Sequence, residues 1–203
     1  MAGPGQLADP PQPMTIKIEL ESAAALSQYS QVPIAFWVRS QLRVELIDNG
    51  LGGIHFSEEA VTPYLKDYDA LPGESPIHWP ERWDVSRWGF LAAFDGRRRV
   101  GGAAIAWQTK QLYMLDERDD LAVVWDLRVH PDYRGQGVGH LLFSRASQWA
   151  AERQCNQLKV ETQNINVPAC RFYGRQGCQL GGLNRYIYHP LNEVQLLWYK
   201  TIP

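Results

Sequence analysis

Residues Leu121–Gly139 constrain this chain more than any other stretch. Leu121 to Val129 is mostly apolar and β-branched, which suits a central strand. His130-Pro131 ends it, because proline donates no ladder hydrogen bond. Beyond, Val138, Leu141, Leu142, Ala146, Trp149 and Ala150 recur at helical spacing. The glycine-rich loop between them offers bare amides at a helix N-terminus. Unpaired N–H groups and the helix dipole both favour negative charge there, so the loop is suited to phosphate.

The loop excludes two common phosphate ligands. Gly135, Gly137 and Gly139 alternate, whereas a dinucleotide fingerprint needs Gly-x-Gly-x-x-Gly; from Gly135 that frame puts His140 in the sixth place. A P-loop needs Gly-Lys-Ser/Thr, which is absent. What remains is Arg134-x-x-Gly137-x-Gly139 after a strand ending Leu127-x-Val129. The bland reading is a tight strand-to-helix turn. The pattern also resembles the coenzyme A pyrophosphate loop of the GNAT superfamily of N-acetyltransferases.

The chain has 203 residues, enough for one domain with a sizeable core. Net charge is −2, so composition makes no case for a nucleic-acid partner. No run of about 18 apolar residues predicts a membrane span, and nothing reads as a signal peptide, so a cytoplasmic setting is expected. Cys155, Cys170 and Cys178 are too few and too badly spaced for a disulfide framework or a zinc site, so buried free thiols are expected. Met1 to Pro13 reads as a disordered leader, ahead of a single domain over residues 14–203.

Within that domain, Met14 to Leu20 reads as an edge strand and Glu21 to Tyr29 as a helix. Ile34 to Leu46 alternates with period two and predicts a long, half-exposed strand, with Gly53 to Ser57 pairing back. Pro63 argues that Val61 to Asp69 is a loop or short helix. Trp79, Trp83 and Trp88 are either packing under a loop or a wall that receives a cation on aromatic faces. Asp95-Gly96 between apolar runs signals a hairpin, and the strands up to this point are expected to form a meander. Gln157 to Thr162 is a further strand. Asn166 and Pro168 start a helix that Gly177 ends, and two strands, Cys178 to Tyr188 and Glu193 to Thr201, finish the chain. Leu196, Leu197 and Trp198 of the last strand offer either a homodimer surface or core. The fold class is α/β (α+β): a mixed sheet with helices packed on it.

The helix from Asn166 carries Asn166-x-x-Ala169-x-x-x-Tyr173, a second motif similar to the GNAT superfamily. Val61 to Tyr68 resembles the Val-x-Pro-Tyr-x-Lys-Asp-Tyr segment of streptothricin acetyltransferases, and Glu161 to Cys170 is similar to the same enzymes almost residue for residue. Cys178 departs from that pattern, which usually has an aromatic after the helix-ending glycine. Gly174 departs from it inside the helix.

The resemblance implies a mixed, mostly antiparallel, twisted sheet and acetyl transfer from acetyl-CoA, without a metal, to a primary amine. Streptothricin is the leading acceptor. The alternatives are another amine (polyamine, amino-sugar or protein lysine) or a non-catalytic coenzyme A-binding module. It implies that Leu127, Arg128 and Val129 hold the pantetheine arm. Arg134, Gly135, Gln136, Gly137, Val138, Gly139 and His140 hold the pyrophosphate, and Asn166, Ala169 and Tyr173 the rest of the coenzyme. It further implies Tyr173 as the acid for the thiolate and Tyr64, Asp67 and Tyr68 on the acceptor side. A free amine has a pKa of about 10 and needs a base before it attacks. Asp126 is the candidate base; the bland reading makes it a carboxylate ion-paired with Arg128.

Overall fold

The computed structural model describes residues 15–203, so the expected leader and Met14 lie outside the described residues. Seven strands form one sheet: β1 (Ile16–Glu21), β4 (Gly89–Asp95), β5 (Arg98–Trp107), β6 (Leu121–Val129), β7 (Gln157–Gln163), β8 (Gln179–Asn184) and β9 (Gln195–Thr201). Their order is β1-β4-β5-β6-β7-β9-β8. Of these pairs only β6–β7 is parallel. A parallel pair needs a crossover, and α3 (Val138–Ala151) supplies it.

Two cores lie on the two faces of the sheet. On one, Val138, Leu142, Phe143, Ala146 and Trp149 of α3 pack on Leu91, Val100, Ile105, Val124, Leu158 and Val160. This is the helical face read from the spacing, and it also receives α4 (Val167–Arg175) through Tyr173. On the other, α1 (Leu26–Tyr29) and α2 (Trp79–Arg82) bring Leu26, Tyr29 and Trp79 against Trp88, Phe90, Ala104, Ala106 and Val123. The alternation along β5 explains the division: Ala103 and Ile105 face one core, Ala104 and Ala106 the other. No helix of the described residues is long and apolar enough to cross a membrane.

The sheet differs from the expected meander in one respect. β2 (Phe36–Ile47) and β3 (Gly53–Lys66) leave it and pair only with each other as an antiparallel ribbon. β3 is longer than expected because Pro63 is accommodated. The register runs Val38↔Tyr64 and then Ser40↔Ala60, so Val61, Thr62 and Pro63 fall in a bulge where no ladder needs a proline N–H. β9 lies between β7 and β8 with Leu196 fully buried, and Leu197 and Trp198 are partly buried against the two cores.

A second bulge sits in β6. Its pairing with β5 passes from Ile105↔Val124 to Ala104↔Asp126 and leaves Trp125 unmatched. Simple alternation would put Asp126 opposite Trp125. The bulge instead gives both the α1/α2 side, where Trp125 packs on that core and Asp126 meets Tyr29 at 2.6 Å. Leu127 and Val129 face the α3 side.

The glycines of β5 let the layers close up under this strand. A Cβ on Gly102 would lie 2.5 Å from the Tyr29 ring and 2.9 Å from the Leu91 carbonyl oxygen. Gly102→Ala should therefore cost about 1–3 kcal/mol by overpacking, read as a lower midpoint in urea denaturation with an unchanged slope.

Candidate active site

The glycine-rich loop is built as an anion cradle. Gly135 and Gly137 have φ of +77° and +87°, which only glycine adopts freely, and nothing lies within 4 Å of where a Cβ would stand. Among the described residues, none of the backbone N–H groups of Gly135 to His140 has an acceptor; the first paired amide is that of Leu141, to the Gly137 carbonyl. These amides stand at the N-terminus of α3, where the helix dipole adds to them. The cradle fits a pyrophosphate by this geometry alone.

The named side chains of the loop do other work. Arg134 does not point into the cradle. Its guanidinium donates to the carbonyls of Val129, Pro33 and Ala35, at 2.9, 3.2 and 3.0 Å, and so ties the loop to the root of the ribbon. Gln136 donates to the Asp132 carbonyl at 2.6 Å. Val138 is in the core, and Gly139 lets Phe172 approach, since a Cβ there would sit 3.4 Å from its ring. The His140 ring lies 2.7 Å from the Gln176 amide oxygen.

Beside the loop the sheet opens. β6 and β7 pair only from Leu121↔Gln157 to Val124↔Val160. Past that point β6 follows β5 and β7 follows β9, so Trp125–Val129 and Glu161–Gln163 diverge. Their facing edges carry backbone groups with no strand partner, which an extended amide-bearing arm can pair with. Leu127 and Val129 lie on this stretch of β6, with their side chains on the α3 side.

The Arg128 side chain points the other way. It is buried on the opposite side, with its guanidinium bonded to Asp126 at 2.7 and 2.9 Å and to Asp69 at 2.8 and 3.1 Å. It also donates to the Val32 carbonyl and lies over the Tyr29 ring. Burial works against its charge, but the Asp126 and Asp69 carboxylates overrule that and hold its pKa above the usual value. Asp126 accepts from Arg128 and from the Tyr29 hydroxyl, so its oxygens are occupied.

Two other groups approach the opening. Tyr173 of α4 packs against Phe143 and Phe172. Among the described residues its hydroxyl has no hydrogen-bond partner, yet it is not one of the sealed, unpaired atoms there, which are Arg99 Nη1 and Trp149 Nε1. The hydroxyl is therefore buried but not wholly sealed. Burial first, then the Asp126 charge, push its pKa well up, so the phenol keeps its proton at neutral pH.

From the other strand comes Glu161, a residue to which the sequence reading gave no role. Burial raises its carboxyl pKa, against donors on Gln195 and Tyr113. It accepts from the Tyr188 hydroxyl and from Gln195 Nε2, the latter at 2.6 Å. A signal was present: Lys159, Glu161 and Gln163 form a polar parity on a strand flanked by apolar Leu158 and Val160. Such polar residues on an inner strand mark chemistry or ion pairs.

Asn166 caps α4 by accepting from the Ala169 amide at 3.2 Å, a structural use of the expected pair. Tyr68 donates to Gln163 Oε1 at 2.8 Å, which brings the ribbon's end to the β7 wall. Asp67 accepts from the Asp69 amide at 3.1 Å in a turn, and Tyr64 stays exposed on the ribbon. Trp79 and Trp88 are core. Trp83 is partly buried and meets Trp125 edge-on at 4.8 Å, with the Arg82 guanidinium 4.3 Å over its ring.

The model of the Acetyltransferase (GNAT) family matches residues 55–178. A streptothricin acetyltransferase of Escherichia coli is 32% identical over 168 residues, which make up 81% of this chain and 84% of that protein. A solved structure of a Bacillus anthracis str. Ames protein in complex with acetyl coenzyme A is 26% identical. It superposes with a TM-score of 0.71 and covers 92% of this chain and 99% of that one. Nourseothricin acetyltransferase, 21% identical, shares the fold at a TM-score of 0.70 over 93% of this chain and 99% of that one. These matches take in both the cradle and the opening between β6 and β7, and the chain belongs to the acetyltransferase (GNAT) family, an acyltransferase that uses acetyl-CoA.

Proposed function

We propose that the chain acetylates a primary amine of streptothricin. The observation that carries the reading is structural and local: Tyr68, the last residue of the Val61–Tyr68 segment, is bonded to Gln163 on the wall of the opening. That segment lies outside the coenzyme motifs, and the Escherichia coli relative, a streptothricin acetyltransferase, spans most of the chain. The free thiols of Cys155, Cys170 and Cys178 suit a reducing, cytoplasmic setting.

Acetyl-CoA supplies the thioester acetyl group, and the unpaired amides of Gly135 to His140 would hold its pyrophosphate. The chain's own groups handle the protons. Glu161 is proposed as the base in preference to Asp126. Asp126 is neutralised by Arg128 and tied to Tyr29, whereas Glu161 is held by neutral donors and burial raises its affinity for a proton. Asp126 is then a positioning carboxylate that fixes Tyr29 and the bulge. Tyr173, protonated at neutral pH, holds a proton at Oη for the departing thiolate.

Thiol release from acetyl-CoA should depend on streptothricin, and mass spectrometry of the product should show a single added acetyl group. Turnover of a polyamine or a peptide lysine with streptothricin left untouched would move the acceptor to that class.

Gly137→Val puts a branched side chain into the open cradle and forces a strained φ. Coenzyme affinity by calorimetry should fall by about tenfold or more, while circular dichroism stays native. Unchanged affinity would remove the loop from the coenzyme site.

The base and acid separate by pH. Glu161 must be ionised to act, and burial raises its pKa, so kcat/KM should decline as pH falls through a value above the usual range of about 4.3. Glu161→Gln should lower kcat by roughly 10²-fold or more and erase that limb. Tyr173→Phe should lower kcat similarly at unchanged coenzyme affinity. A limb erased by Asp126→Asn but kept by Glu161→Gln would return the base to Asp126.

A further inference from the structure

Glu161 differs from the carboxylates around it in how it is held. Asp126 and Asp69 share Arg128, and Glu193 is paired with Lys66 at 2.7 Å. Glu161 is instead gripped by neutral donors from three separate segments. Oε1 accepts from Tyr188, in the connection between β8 and β9. Oε2 accepts from Gln195 of β9 at 2.6 Å. The Tyr113 hydroxyl, from the turn Tyr113–Leu115, stands 3.5 Å from the same Oε2. The remaining groups that face it are Lys159 on its own strand, itself tied to Asp116, and Tyr68 from the end of the ribbon, which bonds to Gln163.

Three donors meet the four lone pairs of this carboxylate, so an incoming donor binds at the free lone pair or where an existing donor gives way. The three donors are unequal. Gln195 is buried in the sheet, and Tyr188 is partly buried. Tyr113 is 62% exposed, and its 3.5 Å contact lies at the outer limit of a hydrogen bond. The donor most easily displaced is therefore Tyr113, at Oε2. An ammonium ion is itself an N–H donor and forms a stronger, charge-assisted bond to a carboxylate than a phenol does.

We propose that Tyr188 is a positioning residue that fixes Glu161 through Oε1, so that the acceptor's ammonium displaces the Tyr113 hydroxyl and delivers its proton to Oε2. This rests on Glu161 as the base put forward above. In the step, one N–H bond of the ammonium breaks and an O–H bond forms at Oε2. Glu161 becomes a neutral carboxylic acid, and the amine keeps the electron pair with which it attacks. The site thus selects a protonated primary amine by offering it a weakly filled lone pair.

The test is the pH dependence of kcat/KM with acetyl-CoA and streptothricin for four chains: the natural one, Tyr188→Phe, Tyr188→Gln and Glu161→Gln. A donor to a carboxylate favours its ionised form, so losing one raises the pKa. Tyr188→Phe should move the acidic limb up by about one pH unit at unchanged coenzyme affinity. Tyr188→Gln keeps an N–H donor and should leave the limb near its natural position. A Tyr188→Phe profile with an unmoved limb, or a lowered plateau alone, overturns the proposal while Glu161→Gln still erases the limb. If Glu161→Gln leaves the limb in place, the assignment of the base fails first and takes this proposal with it.

Discussion

The site depends on a pairing that stops. β6 and β7 share a parallel ladder only as far as Val124↔Val160, because each is committed beyond that point to its other neighbour. The unmatched Trp125 in β6 marks the place where the strand turns away. Without this divergence the edges of Trp125–Val129 and Glu161–Gln163 would satisfy each other. Tyr173 and Glu161 would then be separated by a closed sheet.

The charged groups near the opening divide into structure and chemistry by how they are compensated. Arg128 is buried between Asp126 and Asp69, and it joins β6, the end of α1 and the segment after the ribbon. Removing one member of such a set leaves a buried charge uncompensated, typically at 3–5 kcal/mol, so its first role is to hold those segments in register. Among the described residues Glu161 has no cation bonded to it, and burial raises its affinity for a proton. Burial acts on Tyr173 too, and it keeps the phenol protonated. Burial therefore acts in the same direction on both, raising the proton affinity of a carboxyl on one side and of a phenol on the other.

What the sequence revealed was mostly local. The loop glycines, the Asn166 cap and the helical spacing of α3 depend on residues a few positions apart, and each was legible. Pro63 misled because a bulge opposite Arg39 frees the proline from any ladder duty, and a bulge is set by two strands together. Arg128 misled for a similar reason. Its position in the motif placed it near the coenzyme, but its partner Asp69 lies 59 residues away and draws it to the other side. The partners of Glu161 come from Tyr113 and Tyr188, 48 and 27 residues distant, so no spacing rule could have joined them.

The bulge at Trp125 also sets which changes of length the strand can absorb. The two-residue rhythm of β6 runs in one phase up to Val124 and in the opposite phase from Asp126 onward. Trp125 is the added beat between them. Deleting Trp125 would leave every later side chain on its present side, but it would remove the bulge at which β6 turns from β7, along with the aromatic packing against Trp83 and Trp88. Deleting Leu127 would reverse the phase downstream, turning the Arg128 guanidinium into the α3 core and Val129 toward the carboxylates. The sidedness of this strand thus survives a change of length at one residue only, and that same residue carries the bulge that opens the sheet.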